Sequence, residues 1–321
     1  MASKRRDFYY SISPLFCVSD VLGFTAFSVR ELSGSRRPFP LTIYKVAITV
    51  LSLFGHIAVI SKRSQETDFA FKVGTFLSVS LIVYEHAYNC LMFIGLILFV
   101  ARNSHYVHLF SIMLGLDVQI HRVAHAGDGI YEKIRKRTIF LIFVHIIWIC
   151  VNCFPVFAYC DSFPPVLTAL FELYAGIVFA VTDMYFVSVM MFLKHMYSTI
   201  NSVIRNNAQE NSRRGTDSNN GHRVRNLMEL HYHVNCVCDS FNSVFGVQIL
   251  LCVFVKFVIA VLDSLIIAQN LINYDKVKSY GWSWYYTPVS EIAWSVSSLL
   301  CVTWFCGSVS HEVSDCPFCL K

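Results

Sequence analysis

A chain of 321 residues that is 55% hydrophobic and 15% charged is too apolar for an ordinary soluble domain, where about a quarter of residues are charged. The formal net charge of +5 is too small to suggest a nucleic-acid partner, and the 12 cysteines are scattered, several inside apolar runs (Cys90, Cys150, Cys252, Cys301). Buried cysteine behaves as a small hydrophobe, so no disulfide framework is read; the class that remains is an all-α integral membrane protein with one polytopic domain.

The chain opens on a basic segment, MASKRRDFYY. The run that follows is broken by Ser13, Pro14, Ser19 and Asp20, so no cleavable signal is read, and Leu15–Val29 is expected to form an interfacial or re-entrant helix. Residues 1–40 therefore form an expected cytoplasmic segment, 41–309 a transmembrane domain with cytoplasmic loops 101–137 and 194–243, and 310–321 an atypical tail. Six segments are long enough to span a bilayer: Leu41–Ile60, Val73–Val100, Thr138–Ala158, Pro165–Leu193, Val244–Ala268 and Tyr286–Ser308. They show no internal repeat, which disfavours a secondary transporter.

Lysine and arginine set the orientation. Six lie in 1–40, six in 101–137 and six in 194–243; with Lys321 that side holds nineteen, against five (Lys62, Arg63, Lys72, Lys276, Lys278) on the other. The N-terminus is thus expected in the cytoplasm. That is inverted relative to a G-protein-coupled receptor, and no D-R-Y-type motif is present. The segment 101–137 reads as helical, and span four is expected to extend to about Arg205. Asn206–Gly221 (NNAQENSRRGTDSNNG) reads as a disordered loop. The cytoplasmic helical extensions are expected to pack together as an anchor.

Leu227–Ala268 is the longest uninterrupted element. It holds no proline, its first half is polar and its second half apolar, and as one helix it would reach roughly 60 Å, about twice the bilayer core. His231, Asn235, Asp239, Asn242 and Gly246 follow 4, 4, 3 and 4 spacing and share one face, which predicts packing of this stripe against other helices.

Ionisable and polar residues recur inside the spans, where they are costly and usually face a cavity or another helix. Span two carries Ser78, Glu85 and Asn89; span three His145, Trp148 and Asn152; span four Glu172 and Asp183; span five Lys256 and Asp263; span six Thr287, Glu291, Ser295 and Ser298. With the N-terminus inside, Trp148, Asn152, Glu172, Asp263, Glu291, Trp294 and Ser295 fall in the outer half, and Glu85 and Lys256 near the middle. These residues outline an acidic, outward-facing candidate ligand site. An acidic site favours a ligand bearing amines or many hydroxyls, with Trp148 or Trp294 stacking on it. The competing reading is hydrogen bonding and one or two ion pairs between helices, in which Glu172 and Asp183 are protonated or paired with Lys256.

The run His231…Asn235, then Phe245-Gly246-Val247-Gln248-Ile249-Leu250 at the membrane entry, together with Pro14-Leu15 and Leu22-Gly23-Phe24 near the start, resembles the insect gustatory receptor family. The resemblance implies seven spans, inverted topology, a tetrameric ligand-gated cation channel in the plasma membrane, and a small-molecule tastant bound in the outer half of each subunit. It fails at the C-terminus. The family's seventh helix carries a T-Y-x5-Q-F-type signature, whereas this sequence ends in Val313–Lys321 without it. A form lacking the conducting helix is therefore expected. The alternative is a non-conducting scaffold or dominant-negative subunit that assembles with full-length relatives.

No enzyme, metal or cofactor signature stands beside these. P-loop, G-x-S-x-G and H-E-x-x-H patterns are absent, and Cys316-Pro317-Phe318-Cys319 lacks the second ligand pair that structural zinc needs. Palmitoylation of Cys316 or Cys319 fits a cytoplasmic tail.

Overall fold

A computed structural model describes residues 7–21, 103–124, 129–159, 163–214, 218–272 and 283–315, with single positions between 47 and 97. The expected spans Leu41–Ile60 and Val73–Val100 thus lie outside the described residues except at those single positions, and Cys316 and Cys319 lie outside them altogether. The described elements are six α-helices: α1 Phe8–Val21, α2 Asn103–Ala124, α3 Gly129–Tyr159, α4 Phe163–Arg214, α5 Ser218–Ile272 and α6 Ser283–Ser314.

α1 differs from expectation in both place and setting. It starts at Phe8 instead of Leu15, and it is packed into the bundle against α3, α4 and α2. Phe8, Ile12, Leu15 and Phe16 are buried on one face, and Phe8 stacks on Phe192 of α4 with centroids 3.9 Å apart. Ser11 and Ser19 are buried as well. They are tolerated because Ser11 Oγ donates to the Phe8 carbonyl (2.5 Å) and Ser19 Oγ to the Leu15 carbonyl (2.8 Å).

The expected disordered loop at 206–221 is also corrected. α4 continues to Arg214 and α5 begins at Ser218. Ala208, Gln209, Glu210, Arg213 and Arg214 are good helix formers, and they extend a helix already held by buried Tyr197, Ile200 and Ile204, so no new nucleus is needed. α6 likewise runs beyond the expected end at Ser308. Asn201 Nδ2 of α4 donates to the Glu312 carbonyl (2.7 Å), satisfying a main-chain acceptor in the last turn, and Arg205 lies 3.6 Å from Asp315.

α4 is the hub. It packs against every other described helix, and residues 180–189 are buried without a break. Its neighbours turn apolar side chains outward instead: Phe140 and Phe143 on α3, Leu250, Phe254 and Phe257 on α5, and Leu300 and Trp304 on α6 are all more than half exposed. Within the described residues, Val224–Gln269 and Pro288–Ser314 contain stretches long and apolar enough to cross a membrane. An outward row of large apolar residues around a hub with buried polar groups is the arrangement a lipid environment selects.

Candidate functional site

Three layers of polar and aromatic side chains are stacked between α3, α4, α5 and α6. The first is an ion pair. Lys256 of α5 donates to Asp183 of α4 and also to Ser298 Oγ of α6 (2.6 Å), while Ser298 donates to Asp183 Oδ2 (2.7 Å). Lys256 and Asp183 are both buried, and together with Ser298 they close a triangle across three helices. An isolated charge here would cost several kcal/mol; pairing and the added hydroxyl offset that.

The second layer is aromatic. Trp148 of α3 and Trp294 of α6 stack with centroids 4.5 Å apart and planes 16° from parallel, and His145 meets Trp294 edge-on at 4.5 Å. His145 Nδ1 lies 2.7 Å from the Leu141 carbonyl, which fixes its ring. Gly176 of α4 faces the Trp148 indole, and a Cβ there would make an ordinary van der Waals contact with it at 3.8 Å.

The third layer is acidic. Asp263 of α5 and Glu291 of α6 lie within side-chain hydrogen-bonding reach of each other. Asp263 is 5% exposed, and its Oδ2 is buried without a hydrogen-bond partner among the described residues. Ser295, one helical turn beyond Glu291, is buried too.

Five of the sequence candidates, Trp148, Asp263, Glu291, Trp294 and Ser295, therefore lie on three helices that share this interior. Glu85 lies outside the described residues, as do the side chains of Asn152 and Glu172. The indoles differ from expectation in one respect: they stack on each other, so a ligand is left only their outer faces. Lys256, the cation set against the acids of the candidate site, is taken up by Asp183.

The α5 stripe divides. His231 is buried with its ring 5.5 Å from Tyr197, and Asn235 Oδ1 accepts the Tyr197 hydroxyl (2.5 Å). Asp239 and Asn242 are exposed within the chain, contrary to the expected packing of the whole stripe. The helix buries instead the apolar row Leu227, Leu230, Val234, Val237, Phe241, Phe245, and the stripe lies on its flank. Gly246 is crowded by its own helix and by no neighbour: a Cβ would lie 2.9 Å from Asn242 Oδ1.

Two polar ties near this end were not singled out from the sequence. Tyr106 of α2 donates to Gln248 Oε1 (2.5 Å) and packs edge-on against Phe245 (4.8 Å), so Phe245 and Gln248 of the membrane-entry motif hold α2. Asp117 of α2 accepts the Phe8 main-chain N–H (3.0 Å) and the Tyr131 hydroxyl (2.6 Å), tying α1, α2 and α3. Burial pushes the Asp117 carboxyl above its ordinary range, against the opposing pull of the two bonds it accepts. Its one sequence signal is a lone acid in the apolar run LFSIMLGLDVQI.

The model of the 7tm chemosensory receptor family matches residues 12–316. No curated protein matches the chain.

Proposed function

The chain belongs to the 7tm chemosensory receptor family, and we propose that it is a gustatory-type receptor subunit of the plasma membrane that senses a small molecule between α3, α5 and α6. The family membership supplies the receptor role. The observation that carries the site is the buried Asp263 Oδ2, which has no hydrogen-bond partner among the described residues, in the layer that also holds Glu291. A buried acceptor left unsatisfied costs about 1–3 kcal/mol. A ligand hydroxyl or ammonium that donates to it recovers that cost on binding. The ligand class is thus polyhydroxylated or cationic, with the outer indole faces available for a sugar ring or a cation. Coupling of this site to a cation conductance follows from the likeness to gustatory receptors and is part of the proposal.

The test is a cellular response. The full chain, alone and with a conducting family member, is expressed with a surface label and challenged with hydroxyl-rich and amine-bearing compounds. Loss of one charge-assisted hydrogen bond, about 1.5–3 kcal/mol, corresponds to roughly a tenfold or greater rise in half-maximal concentration. Glu291→Gln and Trp294→Ala are expected to produce that shift at normal surface levels. Unchanged dose responses in both variants would reduce these residues to helix-packing groups.

A further inference from the structure

We propose that Lys256 is a positioning residue: its ion pair sets the helical register of α6 against α5 and thereby brings Glu291 to Asp263. The inference rests on the site reading above, and its main readout is independent of ligand.

Lys256 and Asp263 are seven residues apart on α5, and Glu291 and Ser298 are seven apart on α6. The helices run in opposite directions, so Lys256 facing Ser298 and Asp263 facing Glu291 are a single register read twice, about 10 Å apart along the axis. Seven residues are close to two full turns, which keeps both layers on one side of each helix.

The Trp148–Trp294 stack and the Asn201 bond to the Glu312 carbonyl seat α6 on α3 and α4, but the apolar contacts between α5 and α6 hold their register only weakly. The α5 and α6 faces beside the two layers are apolar and smooth: Cys252 and Val255 on one, Cys301 and Val302 on the other, all buried or half-buried. Apolar contacts of this kind survive a shift of one turn with modest loss, because one aliphatic residue replaces another. A polar contact does not. Sliding α6 by one turn removes Ser298 from Lys256 and Asp183 and places an aliphatic residue against a buried ion pair. Single buried polar groups fix register in helical assemblies for this reason. Asp183 on α4 makes the latch three-sided, so the hub helix holds the register from behind. The acidic layer alone is a weaker candidate for this role, since a pair of carboxyls carries no opposite charge.

Cysteine cross-linking in the full chain, in membranes, reads the register directly. Asp263→Cys with Glu291→Cys removes the acidic layer and leaves the ion pair as the polar tie between α5 and α6 among the described residues; the linked peptides are identified by mass, which separates them from links through native cysteines. The expected result is efficient 263–291 linkage with Lys256 present and with Lys256→Arg. With Lys256→Met, 263–291 linkage falls at least fivefold. At the same time, linkage between Asp263→Cys and Ser295→Cys, one turn away, rises. Exchanging the charges, Asp183→Lys with Lys256→Asp, restores 263–291 linkage, and this variant decides the matter where Lys256→Met fails to reach the membrane. Equal 263–291 linkage in Lys256→Met, or no linkage in both Lys256→Arg and the exchanged pair, overturns the proposal. A chain that keeps the predicted linkage pattern but gives no ligand response counts against the receptor site, not against the positioning role.

Discussion

Asp117 shows how much a single side chain does in this bundle. It accepts from the first helical N–H of α1 and from Tyr131 at the start of α3, so one carboxyl holds three helix ends. The cost is burial, which raises its affinity for a proton above that of the unfolded chain, whose ordinary value is 3.8. A folded state that binds the proton more tightly loses stability as pH rises from 3.8 through the folded value, and is insensitive to this group above it. Asp117→Asn removes that pH dependence. It also leaves one carbonyl oxygen to serve two donors, at a cost of about 1–3 kcal/mol. The expected outcome is a lower thermal midpoint at neutral pH in detergent micelles and a flatter midpoint-against-pH curve on the acidic side. A curve parallel to that of the unaltered chain would show that Asp117 does not titrate with folding.

At the scale of elements, α5 is the clearest case of what the sequence discloses. Its uninterrupted length and the change from polar to apolar are plain in Leu227–Ala268, and the helix is longer still, Ser218–Ile272. The orientation of its faces is less plain. A stripe of polar residues at helical spacing and an apolar row beside it compete for the interface, and the apolar row wins because burying it releases more free energy than burying Asp239 or Asn242 would. Gln248 is a polar residue within the buried face and is fixed by Tyr106. Tyr106→Phe leaves that acceptor without the hydroxyl, and the thermal midpoint is expected to fall. In a double-mutant cycle with Gln248→Leu, the two changes should fall short of additivity by about 1 kcal/mol. Additive effects would mean that the two side chains are independent. The helical stretch at 206–214 was hidden for a different reason: polar composition signals disorder only when no neighbouring helix is already formed, and here α4 supplies one.

The described helices form a bundle around α4 with apolar side chains outside and ion-paired, aromatic and acidic layers inside. The inventory of those layers was legible in the sequence, since Lys256, Asp183, Asp263 and Glu291 are costly wherever they fall in an apolar run. Their pairing was only partly legible. Opposite charge offered Lys256 both Glu172 and Asp183, and the packing of α4 against α5 selects Asp183. Trp148 with Trp294, and Asp263 with Glu291, depend on the register of α6 against α3 and α5, which no periodicity within one helix encodes. The central claim is that this chemosensory receptor chain binds its ligand at the acidic and aromatic layers. The most direct test is cryo-electron microscopy of the full chain in lipid nanodiscs, with and without a compound that activates it in cells. The account predicts ligand density touching Asp263, Glu291 and the outer face of Trp294. Density elsewhere, such as between α2 and the first half of α5, with these three residues unchanged, would contradict it.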